Sequence, residues 1–318
     1  MSDPTVDVII ATNRASPFLS EALASVRAQT WAGWRIIIVD DGCSDPEFLR
    51  SAVRDIPDAR IVRQPPSGAS AARNTGIRAG SGDLIAFLDD DDVWHPGRLA
   101  AQVSAWQAAT DRVAVYCGGW YMGSDGTPFG RGWPAVQASS AQFLGADVPP
   151  PRIVTLLVRR TVCESMGGFN ETFTFAEDNE FILRLAQEGE MVAVDERLVG
   201  YRRHSMNMSG AALEGRLANE RALLMQIESA RGRGDETTAR LLRNHLRWVR
   251  RTSAPASVRH MAAAVRRADA TAFARELAWA SRSAPIHTLA ALAAKSATAL
   301  RKALRPSRGD APPGPCKR

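Results

Sequence analysis

Residues 84–94, LIAFLDDDDVW, decide how this chain is read. Five apolar residues, Leu84 to Leu88, run into four consecutive aspartates, Asp89 to Asp92, and Val93 and Trp94 return at once to apolar character. An acidic run is ordinarily a solvated face or a tail. Here it ends what reads as a buried strand, where like charges repel and desolvation is costly. A divalent cation with an anionic ligand is the simplest compensation, and hard cations take carboxylate oxygens. In an extended backbone alternate side chains share a face, so Asp89 and Asp91 are expected together with Asp90 opposite.

Outward from this stretch, strand-like and helix-like segments alternate. Residues 6–11 read as an apolar strand run, residues 35–39 as a second buried strand and residues 59–63 as a third. Between them, residues 17–29 carry helical spacing in Phe18, Leu19, Leu23 and Val26, and residues 48–53 and 70–79 also suit helices. Such alternation predicts an α/β fold with a mostly parallel sheet covered on both faces. Ligands bind beyond the carboxyl ends of the strands in such sheets. Thr12-Asn13-Arg14, Asp40-Asp41-Gly42 and the aspartate run all fall at those ends. Further along, residues 118–134, rich in Gly, Trp and Tyr, read as a loop or hairpin. Residues 153–158 read as a strand and 177–188 as a helix, and Ala-, Leu- and Arg-rich helical sequence dominates from about residue 210.

The net charge of +6 conceals an asymmetry: residues 1–209 carry a net −7 and residues 210–318 a net +13. A basic region on an acidic body suggests contact with an anionic surface, or else a solvated arginine-rich helical face. Arg240, Arg243, Arg247, Arg250 and Arg251 recur at near-helical spacing among Leu241, Leu242, Leu246 and Trp248, as in a helix lying on an anionic membrane. Cys43, Cys117, Cys163 and Cys316 form no CxxC pair, which argues against a zinc site or a disulfide framework and fits a reducing cytosol. The start of the chain carries no signal-like pattern. Residues 284–300 are too short and too polar to be read as a membrane span. The expected location is therefore cytoplasmic, with peripheral contact at the inner face of the cytoplasmic membrane.

Five stretches in order resemble the family 2 glycosyltransferases: VDVIIATNR, RIIIVDDGCSD, GASAARNTGIRAGSGDLIAFLDDDDVW, GGFNETFTFAEDNEFILRL and YRRHSMNMS. The resemblance implies a GT-A catalytic domain, with a Rossmann-like sheet, over residues 1–209. A basic helical region over 210–305 and a disordered tail over 306–318 follow in this reading. It implies inverting transfer of a sugar from a nucleotide-diphosphate donor to a saccharide or lipid-linked acceptor, in polysaccharide, glycolipid or glycoconjugate synthesis. Mn²⁺ or Mg²⁺ is the implied cofactor. Thr12 and Arg14 match the loop that lines the nucleotide, and Asp40 or Asp41 would contact the base. Arg73 matches an arginine near the nucleobase. Asp89 and Asp91 match the outer acids of the metal motif, with Asp91 the direct ligand. Asp90, where the family often has a small residue, falls on the nucleotide-sugar side. His204 matches a position near the diphosphate or metal. Asp178, of the Glu177-Asp178 pair, matches the catalytic base.

Other readings fit less well. A dinucleotide-dependent dehydrogenase would place a GxGxxG after the first strand, and none is present. A nucleotidyltransferase would show a Gly-rich basic loop there, which Thr12-Asn13-Arg14 does not resemble. No nucleic-acid-binding module accompanies the basic region. A sugar-nucleotide-binding or scaffold protein of the same fold with weak turnover is the remaining alternative.

Overall fold

The computed structural model describes residues 3–204 and 212–293. Its first part runs β1 (Val6–Thr12), α1 (Pro17–Arg27), β2 (Trp34–Asp41), α2 (Pro46–Val53), β3 (Arg60–Gln64), α3 (Ala69–Ala79) and β4 (Leu84–Phe87). β1, β2 and β4 are mainly apolar because both faces are covered: Val8, Ile10, Ile36, Ile38, Leu84 and Ile85 are fully buried, and so is Asp7 of β1, which pairs with Arg35 and Arg160. Capping residues open the first two helices. Ser16 accepts from Phe18 N ahead of Pro17, and Asp45 accepts from Phe48 N ahead of Pro46.

There follow β5 (Val93–Trp94), α4 (Arg98–Ala108), β6 (Ala114–Met122), β7 (Pro128–Trp133), α5 (Ser140–Gly145), β8 (Leu156–Arg159), α6 (Arg160–Ser165), α7 (Glu177–Glu188) and β9 (Met191–Arg202). Of the loop or hairpin expected over 118–134, the structure forms the hairpin, β6 with β7. The strand expected from 153 begins at Leu156, after a 3-10 turn at Ile153–Thr155.

The sheet order is β3-β2-β1-β4-β8-β6-β9-β5, with β7 beside β6. From β3 to β4 every pairing is parallel. Beyond β4 the sheet is mixed, because β8 is antiparallel to both β4 and β6 while β6 and β9 run parallel. Apolar periodicity reports that a strand exists and not which way it runs, so only the first half of the parallel expectation was readable. The fold is nonetheless the expected GT-A type, with a helical C-terminal region.

The aspartate run is not extended. β4 ends at Phe87, and Asp92 N donates to Asp89 O at 3.2 Å, closing a turn. Asp89 and Asp91 therefore do not share a face by strand alternation. A turn fans the four carboxylates toward different partners, which relieves their repulsion better than a pleat would.

The helical region comprises α8 (Ala212–Gly232), α9 (Glu236–Arg266), α10 (Ala270–Ser283) and helical residues 285–293. The chain forms two compact units, one through Leu246 and one from Arg247. In the first, α8 packs on α7, and Leu242 and Leu246 of α9 are buried. In the second, Val258, Met261, Trp279 and Ala280 form the interior, and Ser257 Oγ donates to the buried Glu276 at 2.8 Å. The tail from 306, and residues 205–209 of the last motif, lie outside the described residues. Among the described residues no helix is long and apolar enough to cross a membrane.

Candidate active site

At the carboxyl ends of β1, β2 and β4 lies a cleft of about 710 Å³. Thr12, Arg14, Asp41, Arg73, Asp89, Asp90, Asp91, Glu177 and Asp178 all line it. Asp40 and His204 are the two sequence-derived candidates that do not.

Asp90 ties the first loop to the aspartate turn. Thr12 Oγ1 donates to Asp90 Oδ2 at 2.6 Å, and Arg14 forks onto the same carboxylate at 3.2 and 2.8 Å. The same guanidinium reaches Asp91 Oδ2 at 3.0 Å. Two parallel charge-assisted bonds fix direction as well as distance, and the bond to Asp90 is the main reason the Arg14 pKa is raised. Asp41 accepts from Gln64 Nε2, Ser67 N and Gly68 N at 2.8 to 2.9 Å, shaping the entry to α3. Asp40 turns away, accepting from Cys43 N at 2.7 Å within its own turn. Of the two acids left open by the sequence, Asp41 is the one that faces the cleft.

Arg73 connects the two acidic motifs. It is only 7% exposed, and its guanidinium donates to Asp89 and to Glu177, each at 3.0 Å. Burial alone would lower its pKa; Asp89, Glu177 and Asp178 together outweigh burial and raise it. Asp89 keeps 37% of its side-chain surface open to the cleft. Even so, enclosure by the cleft walls, with Asp91 and Asp90 close by, overcomes the pull of Arg73 and pushes its pKa up to about 6. Asp91 Oδ2 lies 2.8 Å from His204 Nε2, and the His204 ring stacks on Phe18 at 5.3 Å. Asp92 is fully buried; its Oδ1 accepts from Arg202 N at 2.8 Å and its Oδ2 has no partner. Burial, reinforced by Asp89 and Asp91, holds that carboxyl well above the usual carboxylate range.

Among the described residues no three His, Cys, Asp or Glu side chains are grouped to hold a metal ion by themselves. The donor chemistry nonetheless fits one. Asp91 and His204 already converge, Asp89 lies two residues before Asp91, and carboxylate with imidazole suits a hard to borderline divalent cation. Oxygens of a bound diphosphate would complete such a shell.

The opposite wall is the start of α7. Ala176, just before it, takes a left-handed conformation at φ 58°, unusual for a residue with a side chain. Glu177 and Asp178 then fall in the first turn, where acids complement the helix dipole. Burial, and next the charge of Glu177, raise the pKa of Asp178, although Asn179 N donates to it. An aromatic hub sets the spacing between the walls. Phe169 stacks on Phe181 of α7 at 4.3 Å, and Phe87, at the end of β4, meets both edge-on.

Sequence reasoning gave Asn74 no role, yet it pins the Gly167-Gly168-Phe169 turn. Its amide donates to Phe169 O at 2.9 Å and accepts from Phe169 N at 2.7 Å. Nothing in a lone Asn within a helical pattern signals such a clamp; its partner lies 95 residues away. Gly168 has φ 70°, and a Cβ there would stand 2.3 Å from Asn74 Oδ1. Gly168→Ala is therefore expected to cost about 2 kcal/mol of stability, from the left-handed strain and the displaced clamp. Urea unfolding of the variant checks this, and an unchanged midpoint would dismiss the clamp. Arg152, and the rings of Tyr121, Trp133 and Tyr201 around it, were likewise unremarked.

The sheet with its acid-floored cleft at the strand ends is of the GT-A type. Residues 7–156 match the family model described as glycosyl transferase family 2. The chain is 37% identical over 107 residues to the UDP-Glc:alpha-D-GlcNAc-diphosphoundecaprenol beta-1,3-glucosyltransferase WfgD of Escherichia coli, covering 33% of this chain and 42% of that protein. The chain thus spans less than half the length of that relative. Two solved structures share the fold. S. aureus TarS 1-349 in complex with UDP-GlcNAc has TM-score 0.60 at 13% identity, over 86% of this chain and 91% of that one. Mannosyltransferase PcManGT from Pyrobaculum calidifontis, in complex with GDP-Man and Mn2+, has TM-score 0.60 at 18% identity, over 94% and 81%.

Proposed function

We propose that this protein transfers a sugar from a nucleotide-diphosphate donor to an acceptor hydroxyl in one inverting displacement. The observation that carries the reading is the Arg73 bridge, which holds the aspartate turn and the Glu177-Asp178 pair on two walls of one cleft. In this reading Thr12, Arg14 and Asp41 line the nucleotide, and Asp90 keeps their loop against the aspartate turn. Asp91, Asp89 and His204 would hold Mn²⁺ or Mg²⁺. When bound, that ion neutralises charge developing on the departing diphosphate. Asp178 accepts the proton of the attacking hydroxyl, and its raised pKa makes it a stronger base than an ordinary aspartate. Glu177, held by Arg73, positions it and sustains that shift.

The acceptor class follows by analogy. The E. coli relative is named for a diphosphoundecaprenol acceptor, and others for O-antigen and succinoglycan biosynthesis. A saccharide carried on a lipid diphosphate, for a surface polysaccharide, is the acceptor we favour. The test is release of nucleoside diphosphate from UDP-, GDP- and dTDP-sugars with Mn²⁺ and an acceptor pool. Release with one donor is expected. Donor-dependent thermal stabilisation without release would instead identify a binding protein of the same fold.

Contact with an anionic membrane at the cytoplasmic face belongs to the same reading. Leu242 and Leu246 are buried, so the first arginine-rich stretch offers little free apolar surface. Ile286, Leu289 and Leu292, on helical residues 285–293 after the exposed Arg282, are 76, 67 and 42% exposed and recur every third residue. Such a face suits an interfacial helix. The full chain is expected to co-sediment with phosphatidylglycerol vesicles and the Ile286→Glu, Leu289→Glu variant to remain in solution. Equal behaviour of the two would end the idea.

A further inference from the structure

The aspartate turn divides the cleft. The loops after β1 and β2 lie on one side of β4, and β8, β6 and β9 lie on the other. Arg152 stands on the second side. β8 runs antiparallel beside β4, with Ala86 opposite Leu157, so the chain just before β8 passes alongside the turn. Arg152 lines the cleft there together with Ile153, Val154 and Tyr201.

The Arg152 guanidinium is caged. It lies 4.5 Å from the ring centre of Trp133, 4.9 Å from Tyr201 and 5.5 Å from Tyr121, and its Nη2 donates to Tyr121 Oη at 2.9 Å. Among the described residues no carboxylate pairs with it, whereas Arg14 and Arg73 are each held by two acids. The plain alternative is a counter-charge for the acidic floor, and Arg152 does pull on the buried Asp92. A counter-charge needs neither a ring cage nor a place in the cleft wall. Three rings around the guanidinium, with the bond to Tyr121 Oη, restrict it in advance, and its fork of donors matches phosphate oxygens. Arg203 lies 5.0 Å from the ring centre of Tyr121, but Arg152 is the cation of this cluster that lines the cleft, where an anionic group also meets the aspartates.

We propose that Arg152 and its cage form a subsite for a phosphate group carried by the acceptor, across the aspartate turn from the donor nucleotide. The proposal rests on the transferase reading of the cleft. Its test measures binding alone, so loss of turnover and loss of this subsite are separately visible. Titration calorimetry of the full chain uses phenyl phosphate, inorganic pyrophosphate and geranyl diphosphate as probes. Phenyl phosphate is expected to bind the wild type, about tenfold or more weakly to Arg152→Gln, and with intermediate affinity to Arg152→Lys, which keeps the charge and loses the fork. Geranyl diphosphate binding more tightly than pyrophosphate supports a lipid-linked acceptor; equal binding supports a soluble sugar phosphate. No binding of phenyl phosphate to the wild type, or equal binding to Arg152→Gln, would overturn the subsite.

Discussion

Asp178→Asn is expected to lower kcat by at least about a hundredfold, the scale of general-base catalysis, with the donor KM nearly unchanged. The amide keeps the shape of the side chain, and Asn179 N can still donate to its oxygen. What is lost is the capacity to take a proton, an interaction made only as the acceptor hydroxyl attacks. Donor binding is spared because the loops of Thr12, Arg14 and Asp41 lie across the cleft. The pH profile gives an independent reading. The base works deprotonated, so activity is present above its pKa and falls as pH drops through it. Burial and Glu177 raise that pKa, so the acid limb of kcat/KM should lie above the ordinary aspartate range. Glu177→Gln removes one of the two main causes and should move the limb to lower pH. Steady-state kinetics by nucleoside diphosphate release measures both, and wild-type kcat in Asp178→Asn would remove the residue from this role.

Much of this cleft was legible because its strands are covered on both faces. The predominantly apolar stretches at 6–11, 35–39 and 84–88 read as interior despite Asp7 and Arg35, and the polar groups that follow them lie at the carboxyl ends of the strands. Strand direction was not legible, since no residue in β8 records that it enters antiparallel. The aspartates were misread locally for an electrostatic reason. Alternation describes a pleat, but four adjacent carboxylates are better accommodated in a turn, which aims them at Arg73, Arg14, His204 and Arg202 N, with Arg14 shared by Asp90 and Asp91. Asp90 shows the consequence: a residue with no clear place in a strand becomes the tie between Thr12, Arg14 and the turn. Arg73 and Asn74 are neighbours in one helix, yet their partners lie 104 and 95 residues away. Only the folded chain reveals pairings of that range. The Arg152 cage is assembled from β6, β7, β9 and a loop, so no window of sequence contains it.

Removal of divalent metal by EDTA is expected to abolish turnover, and Mn²⁺ or Mg²⁺ to restore it. The argument begins with charge. Asp89, Asp90 and Asp91 line one floor, and Arg14 and Arg73 are already shared among them and Glu177. Burial first, and then Asp91 and Asp90, push the Asp89 pKa up to about 6 against the pull of Arg73. A diphosphate brought to the same floor adds further negative charge, which a bound divalent cation would offset. Asp91→Asn separates this from a structural effect. It preserves side-chain shape beside His204 and Arg14 but removes the anionic donor. Loss of several kcal/mol of transition-state stabilisation corresponds to about a thousandfold in kcat. Thermal unfolding supplies a readout apart from activity. Mn²⁺ with a nucleoside diphosphate should stabilise the wild type and have little effect on Asp91→Asn, since a ligand stabilises only as far as it binds the native state. Full turnover in chelator would refute metal dependence. Equal Mn²⁺ stabilisation of wild type and variant would move the ion away from Asp91 and leave Asp89 to account for it.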